Sequence, residues 1–244
     1  AEGHAALVAI AGEPGIGKSR LTAALIEQLA SEPHTRLRYF CSSQHTDSAL
    51  YPIITQMERA AGFAHDDTIQ AKLDRIDTLL AQFLTPHQDI ALLTEMLSLP
   101  NDGRYPNLEL TAPQRRQETF EALTRQVEAR SKPNPVLMIF EDVHWIDPTS
   151  LEALGHTIDR LRNLRVLLII TYRPEFEPPW IGRPYVTAAH LTRLGEDESK
   201  AIVNRISGSA LLPANIRQDI IERTDGIPLF VEEITKAVLE AGEE

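Results

Sequence analysis

The sequence predicts an α/β fold built on a parallel sheet, and three stretches carry that expectation. Leu7 to Leu21, LVAIAGEPGIGKSRL, joins a short apolar run to a glycine-rich loop and the start of an amphipathic helix. Val136 to Asp147, VLMIFEDVHWID, sets five apolar residues ahead of two acids, as a strand buried on both faces would. Val166 to Thr171 is a second such strand, and it exits into Tyr172-Arg173. Strand and helix patterns alternate to about residue 190, and only helical periodicity follows. Two domains are therefore expected, a core over residues 1–190 and a small helical domain over 191–244.

The first stretch is a phosphate-binding loop. Gly12, Gly17, Lys18 and Ser19 fit the spacing G-x-x-x-x-G-K-[ST], with a strand before and a helix after as that motif requires. Successive backbone N–H groups in a tight turn, leading into a helix N-terminus, make a concave site for anions. Gly12, Gly15 and Gly17 let the chain curl with no side chain in the way, and Glu13, Pro14, Ile16 and Arg20 complete the segment that would surround a triphosphate. Lys18 is expected to reach the β- and γ-phosphates as a point charge, and the Ser19 hydroxyl to ligate the Mg²⁺ bridging them.

Downstream, apolar residues at helical spacing run from Ser19 to Ala30 and stop at Ser-Glu-Pro. Arg36 to Cys41 reads as a second strand. Helices are predicted over Tyr51–Ala61, Asp66–Leu84 and Pro86–Leu99, an insertion between strands, and another opens at Pro113 and runs to about Arg130. Arg115 and Arg116 on that helix read as a solvated basic pair. Asp147-Pro148 has the form of an N-cap and first helical residue, so Pro148–Asn163 is a predicted helix. Tyr185–Leu191 is the last predicted strand, and Glu196–Ile206, Pro213–Arg223 and Leu229–Glu240 are short helices separated by Ser207-Gly208-Ser209 and by Asp225-Gly226-Ile227-Pro228.

Ligands of parallel sheets gather where strands end at their carboxyl termini, so Glu141 and Asp142 fall at a functional position. One carboxylate there can hold Mg²⁺ through water, and another can orient or deprotonate the water that attacks the γ-phosphate. Arg173, at the end of a neighbouring strand, can contact the γ-phosphate and so report whether ATP or ADP is bound. His144 is expected to be structural.

With 24 Lys and Arg against 35 Asp and Glu, the net charge is −11, which argues against this chain alone gripping nucleic acid. The longest apolar runs are too short to span a bilayer and no signal segment opens the chain, so a cytoplasmic location without membrane contact is expected. Cys41 is the only cysteine, excluding an internal disulfide or a cysteine metal site; it is expected to be a small buried apolar residue. The chain begins with Ala almost directly on the first strand and stops within a helical pattern, and so reads as a piece of a longer protein.

GEPGIGKSRL, FEDVHWID followed by SLEAL, a strand ending TYRPE, and TDGIPLFVEEI together resemble the ATPase modules of the STAND class. The resemblance covers nearly the whole chain. It implies a P-loop NTPase of three α/β/α layers, whose five-stranded parallel sheet sets the Arg173 strand between the phosphate-loop strand and the acidic strand, with all three sites on one rim. It implies that 191–244 is a lid over the nucleotide, with Gly226-Ile227-Pro228 as the GxP turn and Pro228 touching adenine. By position Glu141 would serve Mg²⁺ and Asp142 would position water, although the family usually has paired aspartates there. Such modules sit beside cyclase, DNA-binding or helical-repeat domains, which are the implied partners.

The leading expectation is an ATPase: a slowly hydrolysing, Mg²⁺-dependent switch that binds ATP or ADP within a signalling protein. The alternatives are a small-molecule kinase, a ring-forming motor that self-associates with ATP, and a non-hydrolysing scaffold.

Overall fold

In the computed structural model, residues 5–208 and 212–241 are described; the predicted break at Ser207–Ser209 therefore reaches past them, as do the outer ends of both expected domains. Five strands form a single sheet: β1 (Ala6–Ala11), β2 (Thr35–Phe40), β3 (Val136–Glu141), β4 (Val166–Tyr172) and β5 (Val186–His190). Their order across the sheet is β2-β3-β4-β1-β5 and the sheet is parallel, so β4 lies between β3 and β1 as the resemblance implied. Pairing of β2 to β3 runs in register from Thr35 opposite Val136 to Phe40 opposite Glu141, and β3 to β4 from Val136 opposite Val166. Every residue of β3 is buried, which is why its sequence is an unbroken apolar run rather than an alternation.

The helices are α1 (Lys18–Gln28), α2 (Tyr51–Ala61), α3 (Ile69–Ala81), α4 (His87–Met96), α5 (Ala112–Ser131), α6 (Pro148–Arg160), α7 (Glu196–Ser207), α8 (Ala214–Thr224) and α9 (Pro228–Ala241). Their starts follow local chemistry. Thr111 and Gln114 form a reciprocal capping box at α5, and Asp147 caps α6 by accepting from the Ser150 N–H at 2.8 Å. Gly62, at φ 70°, ends α2. The segment read as one helix over Asp66–Leu84 is shorter, because Thr68 caps it and Leu84 turns to φ 51°. No helix of the described residues is long and apolar enough to cross a membrane.

Packing divides the chain into two compact units that are not consecutive in sequence. The first holds Ala1–Ala9 and Ala30–Thr187; the second holds Ile10–Leu29 and Ala188–Glu244. β1 and β5 each begin in the first unit and end in the second.

Within the first unit a separate core joins α2, α3, α4 and α5 around Leu73, Ile76, Leu80, Leu92 and Leu93. A bidentate ion pair reinforces it, Arg125 Nε and Nη2 donating at 2.8 Å each to the buried Asp89. Arg115 and Arg116, read as a solvated pair, are half-buried and exposed respectively, and pair at the surface with Glu95 and Glu152. The second unit has its own small core, Val203, Ile220 and Val231, one residue from each of α7, α8 and α9.

Candidate nucleotide site

The glycine-rich loop lies in the second unit. Gly15 and Gly17 take φ of 77° and 104°, a region closed to most side chains, and Gly17 forms the N-cap of α1. Its N–H groups therefore lead straight into a helix start, the arrangement that receives anions. Lys18 is buried, with Nζ donating to the carbonyls of Gly12 at 2.8 Å and Glu13 at 3.0 Å. Ser19 and Arg20 are exposed on the first turn, and Ile16 is buried beneath the loop.

In the same unit, α7, α8 and α9 are fastened to this loop. The Leu229 N–H donates to the Gly15 carbonyl at 3.2 Å, one residue after Pro228 opens α9. Arg193 donates to Glu13 Oε2 at 2.9 Å and also pairs with Asp225, the residue before Gly226. Gly226 has φ 70°, and a Cβ there would stand 2.3 Å from the Leu194 carbonyl oxygen, so only glycine fits. Pro228 and the residues from Gly12 to Arg20 are thus brought into one compact unit. Arg193 and Asp225 were not legible as site residues, because an Arg in a loop and an Asp before Gly are ordinary turn chemistry until the fold sets them against Glu13.

Glu141, Asp142 and Arg173 lie in the first unit. Glu141 ends β3 and is buried, and its Oε1 accepts from Arg38 Nε. Register explains the pair: Phe40 is opposite Glu141, and Arg38 is two residues earlier on the same face of β2. Arg38 is a third residue not legible from the sequence; its only signal was a charged residue alternating with apolar ones inside a strand. Asp142 is half-buried at φ 55°, a conformation Asp tolerates but that still stores strain, and its N–H donates to Thr171 Oγ1 on β4 at 3.1 Å. That bond fixes the chain where it leaves the sheet. Arg173 follows β4 with its guanidinium 5.5 Å from the centre of the Trp145 ring, and it makes no ion pair among the described residues.

Cys41, which follows β2, is buried as expected. Burial, and then the negative charges of Asp147 and Asp142, push its thiol up to about 12. Among the described residues no cluster of three or more His, Cys, Asp or Glu side chains is placed to hold a metal by itself. Mg²⁺ at phosphates does not need one, since it keeps several waters and takes one or two carboxylates plus phosphate oxygens.

A parallel sheet of this strand order and a strand–loop–helix phosphate motif define a P-loop NTPase of the AAA type, STAND-like in its fold. The chain belongs to the AAA ATPase domain family, whose profile matches residues 1–170. It is 27% identical over 246 residues to an uncharacterized protein of Rhizobium meliloti (strain 1021), a match covering 97% of this chain and 23% of that protein. The chain thus spans less than a quarter of that relative's length.

Among solved structures, a STAND protein with a tetratricopeptide repeat sensor from Pyrococcus horikoshii is similar in fold, with a TM-score of 0.52 and 17% identity over 95% of this chain and 27% of that one. The Drosophila ORC, in a structure bound to DNA, aligns over 96% of this chain and 55% of its own with a TM-score of 0.47 and 14% identity. The family and the fold make this a nucleotide-binding ATPase module, and ATP or ADP with Mg²⁺ is what the family generally binds.

Proposed function

We propose that the chain is an ATP-operated switch, hydrolysing slowly with Mg²⁺, within a larger signalling protein. The observation that carries this reading is the fastening of α7–α9 to the phosphate loop: Gly15 to Leu229 by a backbone hydrogen bond, and Glu13 to Asp225 through Arg193. A loop that reshapes around phosphates would pull on these ties, and a ligand shifts such an equilibrium through contacts that differ between states. Residues 191–244 then act as the lid on a core of residues 1–190, with Pro228 against the base.

In this reading Gly12 to Arg20 cradle the phosphates, Lys18 neutralises the β- and γ-groups, and Ser19 ligates Mg²⁺. Glu141 takes the metal side and Asp142 positions the attacking water. One Glu141 oxygen is already committed to Arg38, which leaves Oε2 for a metal-bound water. Arg173, without a carboxylate partner among the described residues, reads the γ-phosphate. Flanking domains of the parent protein, of cyclase, DNA-binding or helical-repeat type, receive the signal, and ATP-dependent self-association is a further output to be measured by light scattering.

Hydrogen exchange under saturating ATP-Mg and ADP-Mg tests the switch. Amides of α7–α9 should exchange at different rates in the two states, and Lys18→Ala should abolish both nucleotide binding and the difference. Identical exchange with ATP and ADP would remove the switch reading, and unchanged ATP affinity in Lys18→Ala would remove the site.

A further inference from the structure

Away from the phosphate loop, the first unit has a partly open cavity of about 50 Å³ between β2 and β3 on one side and α2, α5 and α6 on the other. Most of its wall is apolar, with Leu37, Met57, Val127, Met138 and Leu154 among the residues that line it. Five polar side chains, Tyr39, Gln56, Gln126, Arg130 and Thr157, also line it, and of these Tyr39 and Arg130 are each only 7% exposed.

Arg130 carries a charge that no carboxylate among the described residues balances. Its Nη1 donates to the Gln126 carbonyl at 2.9 Å and to Gln126 Oε1 at 2.6 Å, and its guanidinium lies 4.2 Å from the centre of the Phe83 ring. Those partners are neutral. No carboxylate pairs with Arg130 among the described residues, and its Nε and Nη2 make no hydrogen bond to them. A buried guanidinium cannot escape the cost by losing its proton, so such charges are normally paired. The α5 C-terminus, where Arg130 sits in the last turn, offsets only part of the cost through its dipole.

Tyr39 presents the matching feature. Its ring stacks on Phe140 at 4.1 Å, while its hydroxyl makes no hydrogen bond to a described residue. Burial pushes that hydroxyl up to about 12, so it stays a proton donor. The residues lining the cavity thus include an arginine whose Nε and Nη2 make no hydrogen bond among the described residues, a phenolic donor and an apolar wall.

We infer that this cavity is a binding site for a small monocarboxylate, held bidentately by Arg130 Nε and Nη2, with Tyr39 donating a third hydrogen bond and a short alkyl tail against the apolar wall. The guanidinium edge matches the planar carboxylate fork. About 10–15 Å³ suffices for one water, so the volume admits a ligand of a few heavy atoms. The cavity borders the strand that ends in Glu141 but does not include Glu141 itself.

The probe is sodium butyrate, exchanged for sodium chloride at constant ionic strength, with the whole chain in the absence of nucleotide. Thermal unfolding should shift upward saturably with butyrate, and ligand-observed NMR should show one saturable site. Arg130→Met should weaken binding about tenfold or more, the worth of one charge-assisted bidentate contact. Tyr39→Phe, which removes a single oxygen and keeps the stack on Phe140, should weaken it several-fold and stands as the test if Arg130→Met does not fold. Lys18→Ala should leave butyrate binding unchanged, separating this site from the phosphate loop. An equal response to chloride overturns the carboxylate assignment. No saturable response, or an undiminished response in Arg130→Met or Tyr39→Phe, overturns the site.

Discussion

Single residues decide where charge is held. Glu141 is buried against Arg38, which is itself partly exposed and also lies 4.7 Å from the centre of the Phe40 ring. Removing the cation leaves a carboxylate in a poorly hydrated place, so Arg38→Met should cost about 1–3 kcal/mol, less than a fully buried pair because water reaches the arginine. Urea denaturation measures it, and an unchanged midpoint would mean that the pair carries no stability. Asp142 is the more solvated acid, and its backbone is pinned by Thr171. Asp142→Asn keeps the shape and removes the charge, so ATP turnover should fall by about 10²-fold or more while nucleotide affinity is retained. Normal turnover in this variant would move the water-positioning role to Glu141.

At the level of elements, backbone geometry matters more than side-chain identity. The turn before α9 needs Gly226 because the Leu194 carbonyl fills the place of a Cβ, and the Leu194 N–H donates to the Gly226 carbonyl at 2.8 Å. Gly226→Ala adds about 1–2 kcal/mol of left-handed strain and a steric clash with backbone that cannot rotate away. Amides of α7, α8 and α9 should then exchange faster, with β3 and α5 unaffected; uniform, unchanged exchange would show that the turn is not what holds these helices. Predicted element positions agree with the observed ones to within a few residues wherever a cap or a proline marks the start, as at Pro148 and Pro52. They drift where only periodicity was available, as over Asp66–Leu84, since apolar spacing says which face is buried but not where the chain turns.

At the scale of the whole molecule, burial favours the neutral form of Tyr39, Cys41, Tyr105 and Tyr172 among the described residues. Tyr39, Cys41 and Tyr105 are each pushed up to about 12, by burial first, from ordinary values of 10.0, 9.0 and 10.0. Above pH about 9 the unfolded chain therefore binds fewer protons than the folded one, and the slope of stability with pH is negative. Their contribution is complete below pH 9 and is lost as pH rises toward 12. Chemical denaturation between pH 8 and 11 should show stability falling monotonically, and Tyr39→Phe should flatten the fall. A curve level to pH 11 would mean that these groups ionise without unfolding cost.

The sequence by itself determined the class of fold, the strand–loop–helix phosphate motif, the acids at the end of β3 and the helical character of 191–241, because each is written in local spacing and residue type. Only the tertiary structure decided that the loop and α1 pack with the C-terminal helices, that Arg38 holds Glu141, that Arg193 ties Glu13 to Asp225, and that Arg130 is buried without a carboxylate partner among the described residues. Each of these joins residues far apart in the chain. Which distant side chains meet is set by strand order, register and the packing of helices, and no stretch of sequence read on its own carries that information.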